Sequence, residues 1–404
     1  MIKNVKLTCF FLTAVLLATS VQAKIRYELE DFLTESSSVR AQYIGVENNG
    51  ETLNFLSVGL SPDFDLGPLG VGLDLSLYLP LQSDKPYPTD FNSVVLRRLK
   101  YDHNNQMGFD WGWLKDVTLG YGLIVNDFDT DTGETTQFSN DKAGVLAYGT
   151  VSPIRVDAMW TMQNVYAGRV SYAIDNSPIL GSPIIFGGTY ITDSDGSSAS
   201  DGRTTTRPIK SAVGVDMGLP IGGEFFTVFA EYGKLIDEDV EIGDAPSGLS
   251  IGFQGEFFTQ VEYGFEYRNL EAGFIPGYFD NTYESTNYSG SAYTSDTNGL
   301  LLRVGSEFMD YFKGGLEWES YEGQDPLLTA ALGWKKINNI AGVVNYTVPY
   351  QGVSNALLEL DAYYAPGGTF TYIINYQRQH NTKDTYTEST SVGLQMNVAS
   401  LFPF

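Results

Sequence analysis

The sequence has 404 residues, with 49 acidic against 24 basic side chains, two histidines and a formal net charge of −25. An acidic balance of that size argues against nucleic acid as a partner. The single cysteine, Cys9, falls near the start of the chain, which excludes a disulfide framework and thiolate metal ligands from the rest.

The chain opens on a leader. Lys3 and Lys6 precede the apolar run Leu7–Ala18, and Val21-Gln22-Ala23 offers small residues at the −3 and −1 positions. This pattern predicts a secretory signal peptide over 1–23, cleaved before Lys24. The run is too short for an anchor helix, which needs about 20 apolar residues. The following stretch, 24–50, is charged and weakly periodic. It reads as a separate segment before the body at 51–404, either a tail or a stopper lodged inside that body.

From Leu53 onward, period two dominates. Leu69, Val71, Leu73, Leu75, Leu77 and Leu79 alternate with Gly70, Gly72, Asp74 and Ser76. Val213, Val215, Met217 and Leu219 alternate with Ala212, Gly214 and Asp216. Leu249, Ile251 and Phe253 repeat the beat, as do Val261–Tyr267, Leu300–Phe308, Phe312–Trp318, Leu328–Trp334 and Phe370–Tyr376. A strand pleat sends successive side chains to opposite faces, so each segment has one apolar and one polar face. Turn-rich acidic stretches separate them, among them 127–140, 192–207 and 280–298.

A soluble sandwich would turn the apolar faces inward and use strands of about 5–6 residues. A transmembrane barrel turns them out to lipid, with strands of about 9–11 residues. The longer segments here favour the barrel. So do the polar opposite faces and the aromatics at the ends of the apolar faces, such as Trp160, Tyr172, Tyr267, Trp318, Trp334 and Tyr376. The expected fold is all-β: a transmembrane antiparallel β-barrel with an even strand number, about 16–18 within a range of 14–20.

The last segment keeps one parity through Val392, Leu394, Met396 and Val398 to Phe402 and the terminal Phe404. Here the chain resembles bacterial outer-membrane β-barrel proteins of the porin-like kind, without matching one porin family. The resemblance covers the leader, the alternating body and the end. It implies a location in the outer membrane of a Gram-negative bacterium. It also implies contact with outer-membrane lipid and lipopolysaccharide, and a terminal aromatic signal (Phe402, Phe404) read by the barrel-assembly machinery. Pro403 departs from that pattern, because it lacks the N–H for a ladder bond.

Parity assigns charges to the wet face. The inward acids are Asp74, Asp216, Glu231, Glu256, Glu262, Glu266, Glu307, Glu317, Glu319, Glu359 and Asp361; the inward bases are Arg169, Lys210, Arg268, Arg303, Lys313 and Lys335. Excess fixed negative charge in a narrow bore with low-dielectric walls concentrates cations. The expected function is a porin-like channel for passive diffusion of small hydrophilic solutes with mild cation preference. The alternatives are a non-conducting structural or adhesive barrel, and an importer of apolar substrates plugged by 24–50. The sequence leaves solute and oligomeric state open.

Three local features need separate treatment. Arg97 and Arg98 put a cation on each parity of one segment, so they belong at a rim, at a bulge or in an inner loop, since a mid-membrane lipid-facing charge costs about 2–4 kcal/mol. The run Thr118–Gly122 spells a potassium-filter-like TLGYG, but a filter needs membrane helices around it. It reads instead as one arm of a hairpin turned at Lys115-Asp116, with Val117, Leu119, Tyr121, Leu123 and Val125 towards lipid, and Gly120 and Gly122 lining a narrow, packed part of the bore. Asp127, Asp129 and Asp131 resemble part of an EF-hand loop, yet positions six and twelve would be Thr132 and Phe138 instead of glycine and glutamate. They remain candidates only for a loop-bound divalent cation; no other cofactor is expected. Neither Asp102-His103 nor His380 has an identifiable nucleophile to serve, so no enzymatic site is expected.

Overall fold

A computed structural model describes the chain from Ser38 to Met396, apart from residues 49–50, 62, 81–92, 105, 131–142, 175–181, 195–208, 222–224, 238–241, 258–259, 281–282, 284–292, 309–310, 338, 350–355, 366–369 and 381–385. The expected leader, residues 24–37, Asp131 and the terminal Phe402 and Phe404 lie outside the described residues.

The described residues form a single 21-stranded antiparallel sheet and one small two-stranded sheet. Most large-sheet strands run 10–13 residues, as in Val165–Ile174, Ile209–Ile221, Phe226–Asp237, Ser247–Phe257 and Thr297–Phe308. The short strand Asp63–Leu66 keeps the register of Glu51–Ser61 against the same partner, Leu69–Pro80, so the two make one arm. Counting that arm once leaves twenty staves, an even number at the top of the expected range.

The sheet begins upstream of where the sequence placed it. Ser38–Asn48 pairs along its whole length with Glu51–Ser61, so these 11 residues of 24–50 belong to the wall. The same first strand also pairs with the last, Val39 opposite Met396 through Gln42 opposite Gly393. Both ends of the sheet therefore meet, and the chain enters and leaves it at the same rim.

Antiparallel order sorts the connections by rim. The rim near the sheet's two ends carries short turns, such as Gly67-Pro68 and Ser152-Pro153. The opposite rim carries the long connections 113–143, 194–208 and 271–296.

Alternation produces the two faces that the sequence requires. Val170, Val215, Met217, Val228, Ile251, Leu302, Val304, Leu316 and Leu332 are exposed, with Tyr166, Tyr190 and Tyr267 towards the long-loop rim and Phe257, Phe308, Phe312 and Tyr372 towards the other. That is an apolar belt bordered by aromatics, the surface a bilayer covers. Intervening residues such as Asp216, Glu231, Ser250 and Arg303 are buried on the inside. The Arg97 problem is resolved by a bulge. The register shifts so that Gly72 faces Arg98 and Leu73 faces Leu96, leaving Arg97 as the extra residue.

Candidate functional site: the filled bore

The expected hairpin at 109–125 does not form. Met107–Gly112 is a wall strand, but the chain then turns inward. Val117–Leu119 and Val125–Phe128 pair with each other as the separate small sheet. Leu114, Val117, Leu119, Leu123, Ile124, Val125 and Phe128 are buried, most of them completely, and face the inside of the molecule instead of lipid. The cause is local. Asp116, Gly120, Gly122 and Asp127 all take positive φ (55°, 76°, 87° and 50°), which no continuous strand tolerates.

A second connection joins the first. After Val261–Leu270 the chain folds in with Phe274, Tyr278, Phe279 and Tyr283, all essentially solvent-free. The two loops are zipped by backbone. Gly277 N–H donates to Leu123 O (2.8 Å), Phe279 N–H to Ile124 O (3.1 Å) and Asn126 N–H to Phe279 O (3.1 Å), with a parallel bridge between Val125 and Phe279. Together they make an apolar plug continuous with Met159, Val165, Ala167, Ile191, Ala212, Leu235 and Leu270 of the wall. The Tyr283 hydroxyl donates to Asp193 Oδ2 at 2.9 Å, tying the second loop to Ile184–Asp193.

The wall is cut to receive the plug. A Cβ at Gly214 would lie 2.6 Å from Ile124 Cδ1, and one at Gly233 would lie 2.8 Å from Ile124 Cγ1. Gly218 is equally filled by the Tyr121 phenol, and Gly248 by the Phe274 ring. Tyr121 also stacks on Phe229, ring centroids 4.3 Å apart and 7° from parallel. Burial pushes the Tyr121 phenol well above its usual range, helped by the nearby Asp216 and Glu231 charges and opposed by Arg169. It therefore stays neutral at any physiological pH.

The plug's tip is held by one carboxylate. Glu231, midway along Phe226–Asp237, accepts the N–H of Tyr121 (2.9 Å) and of Leu123 (3.1 Å) on the same oxygen, Oε2. It is 2 % exposed. Gly120 is required here, because a Cβ would approach Glu231 Oε1 to 2.7 Å. Gly120 and Gly122 are thus at the tip of an inner loop and not on the wall.

Beside the plug, inward charges are consumed in pairs. Arg169 reaches Asp216 at 2.6 Å. Arg268 binds Glu266 (2.8 Å) and Glu319 (3.2 Å), and its guanidinium also donates to the Tyr321 hydroxyl (3.0 Å). Arg303 binds Glu317 (2.6 Å) and lies 3.7 Å from Glu266, which also accepts the Ser250 hydroxyl. Asp216, Glu266, Arg268 and Arg303 are buried, so they do not border open water as parity alone suggested. Half-exposed charges lie towards the short-turn rim: Glu307 with Lys335 (2.8 Å) and Lys313 (3.9 Å), and Glu256 opposite Glu262. Glu359 accepts from Gln377 and Asp361 from Asn375. The side chains of Asp74 and Lys210 lie outside the described residues.

The divalent-cation candidates change character. Asp127 and Asp129 belong to the plug, not to a solvated loop, and Asp129 Oδ1 accepts the Asp116 N–H. Among the described residues, no three His, Cys, Asp or Glu side chains converge.

A paired-ended antiparallel wall, an apolar outer belt, a charged inner face and loops folded into the bore decide the architecture. This is an antiparallel β-barrel of the membrane-spanning kind. No family model matches the sequence, and no curated protein matches it. Among solved structures, variants of the Rhodopseudomonas blastica porin align with it. One is 10 % identical over 89 % of this chain and 98 % of its own, with a TM-score of 0.34. Another is 9 % identical over 89 % and 99 %, also at 0.34.

The infolded loops were the part of the bore that sequence reading missed. Their signal was present as density of turn-forming residues. Asp116, Gly120, Gly122, Asn126 and Asp127 crowd one apolar stretch, and Phe274–Phe279 is an aromatic stretch interrupted by Pro276-Gly277.

Proposed function

We propose that the chain is a channel for passive diffusion of small hydrophilic solutes, resident in the outer membrane of a Gram-negative bacterium after removal of its leader. The observation that carries this reading is the inner face, where ion pairs and amide-bonded acids continue along the strands instead of an unbroken apolar core. A mild preference for cations follows from the acids. Among the inward charges assigned by parity, eleven are acids and six are bases, an excess of fixed negative charge along the bore. Planar-bilayer recording in a salt gradient tests both parts. Channel steps with a cation-selective reversal potential are expected, and anion selectivity would overturn the preference.

Lipopolysaccharide, lipid and the assembly machinery are the proposed partners. Divalent cations bridging acidic loops to lipid phosphates would appear as a loss of thermal stability in chelator, and an unchanged melting profile would count against them. The apolar plug supports one rival, an importer of apolar solutes stoppered by loops 113–143 and 271–296 instead of by 24–50. Faster uptake of an apolar than of a hydrophilic solute into vesicles would favour that rival.

A further inference from the structure

The bases on the inner face of the wall behave in two ways. Arg155, Arg169, Arg268, Arg303, Lys313 and Lys335 each reach a carboxylate. Arg98 and Lys100 do not. Asp110 faces Lys100 in register, yet among the described residues neither base forms an ion pair. Arg98 is exposed and Lys100 half-buried. Both project from Ser93–His103, and positions two apart on a strand lie about 7 Å from each other, so the two cations repel. The in-register neighbours of Arg98 are Gly72 and Gly112, and Lys100 has Gly70 on one side, so little side-chain bulk crowds them.

These two bases and Gly70 line a cavity of about 410 Å³ at the short-turn rim. Its far wall is the turn Gly67-Pro68 with Asp102 and Asn104. That wall is fixed from two directions. The Asp102 N–H donates to Pro68 O at 2.9 Å, and the Asp102 carboxylate accepts the Tyr148 hydroxyl. Tyr148 lies over Gly108, where a Cβ would come within 2.7 Å of the hydroxyl oxygen, and Arg155 covers its ring at 5.1 Å. The acid of the cavity is therefore already engaged by the wall, whereas the two cations are not.

A guanidinium presents a planar fork of donors and an ammonium three more, with no acceptor on either. An oxyanion satisfies both groups and relieves their repulsion. The volume falls within the roughly 300–1,000 Å³ of small-molecule sites, so the anion is an organic one. Asp102 and Asn104 supply acceptors for hydroxyls at its other end. We propose that this cavity is a binding station for a small hydroxylated oxyanion, a sugar acid or sugar phosphate by its chemistry, held by Arg98 and Lys100. The inference deepens the channel reading by naming one solute class. It rests on that reading for passage only, because binding is measured on its own. The summed charge of the bore governs small ions, whereas a bound solute meets the nearest groups.

Calorimetric titration of the full chain in detergent tests it, with gluconate, glucose phosphate, glucose and acetate as probes. Gluconate and glucose phosphate are expected to bind, and the tighter of the two decides between carboxylate and phosphate. Glucose lacks the charge and acetate lacks the hydroxyls, so each should bind roughly tenfold more weakly. Glucose binding as tightly as the anions would overturn the inference, and acetate doing so would overturn the part given to Asp102 and Asn104. Arg98→Gln and Lys100→Gln should each weaken the better anion by roughly tenfold. Arg98→Lys should recover part of that loss, which a misfolded wall could not. Lys234→Gln is the charge control, since the Lys234 ammonium is held by the Ile242 and Gly243 carbonyls. It should leave the affinity unchanged, and an equal loss there would overturn the station, because only the general field would be at work. In planar bilayers the better anion should lower the current, half-maximally near its Kd. Binding without any channel steps would sink the channel reading and leave the station standing. Channel steps with no binding of either anion would do the reverse.

Discussion

Val213–Leu219 and Val117–Val125 carry the same alternation of apolar residues with small or polar ones, yet one is wall and the other is plug. In Ile209–Ile221 the beat continues for 13 residues, and Ser211–Gly218 are flanked by paired strands on both sides. In the plug the paired strands shrink to Val117–Leu119 and Val125–Phe128. Positive φ at Asp116, Gly120, Gly122 and Asp127 cuts the run at both ends and in the middle. Alternation therefore decides which faces a segment has. The length free of positive-φ residues decides whether that segment reaches across a membrane. A short apolar segment that cannot span lipid hides its face in the only other dry place available, the inside of the barrel.

The comparison predicts different sensitivities for the two faces of the wall. Behind the plug the charges form a closed network, so Arg268→Met should be the most damaging change. It leaves Glu266 and Glu319 without the guanidinium they share, and breaking a buried pair from one side costs about 3–5 kcal/mol. Urea unfolding from lipid vesicles reads this, and a loss under 1 kcal/mol would mean that water reaches the network. Next in size is a charge on the outer face. Val215, 60 % exposed at the middle of Ile209–Ile221, should cost about 2–4 kcal/mol as Val215→Lys if lipid covers it. The same measurement would show near neutrality if this belt faced water.

The wall was largely legible in the sequence because its rule is repetitive. One error of parity in Leu249–Phe253 would be corrected by Val261–Tyr267 beside it, whose register is set by ten residue pairs. That Arg97 and Arg98 could not share an unbroken mid-membrane strand was legible for a related reason. The sequence left a rim, a bulge and an inner loop open, and the register shift at Gly72/Leu73 selects the bulge. The bore was less so. Parity placed Glu231, Asp216 and Arg268 inside, but it is silent on what fills the inside. Whether an inward acid meets water or an amide depends on loops that follow no period. Gly214, Gly218 and Gly233 read as ordinary small lumen residues, and their meaning as notches appears only with Ile124 and Tyr121 against them. Strand number is hard to read for a similar reason, because one arm is split at Ser61/Asp63 without a change of register.

Wedging the notch tests the plug half of the comparison. Gly233→Val places methyls where Ile124 sits, and overpacking a close-packed site costs about 1–3 kcal/mol. The expected result is a modest loss of stability together with a changed open-channel conductance, since Ile124 must shift to make room. Gly188 is the control. It lies two strands away, and the nearest atom to a Cβ there is a backbone oxygen at 3.9 Å. Gly188→Ala should change neither quantity, and a similar response at both sites would show that the effect belongs to the wall and not to the seat.

The smallest effect belongs to the charges away from the plug. Lys335 and Glu307 lie 2.8 Å apart with side chains 35 % and 36 % exposed. Salt and water weaken such a pair, and exposed bridges contribute about 0–1 kcal/mol. Lys335→Met should therefore leave unfolding almost unchanged. It should nevertheless shift the reversal potential towards cations, because removing one base unmasks part of the Glu307 charge beside the permeating solution. The shift should shrink as salt rises and the Debye length falls to about 3 Å at 1 M. The opposite pattern, lost stability with unchanged selectivity, would place this pair among the buried ones and erase the distinction between a filled side of the bore and an open one.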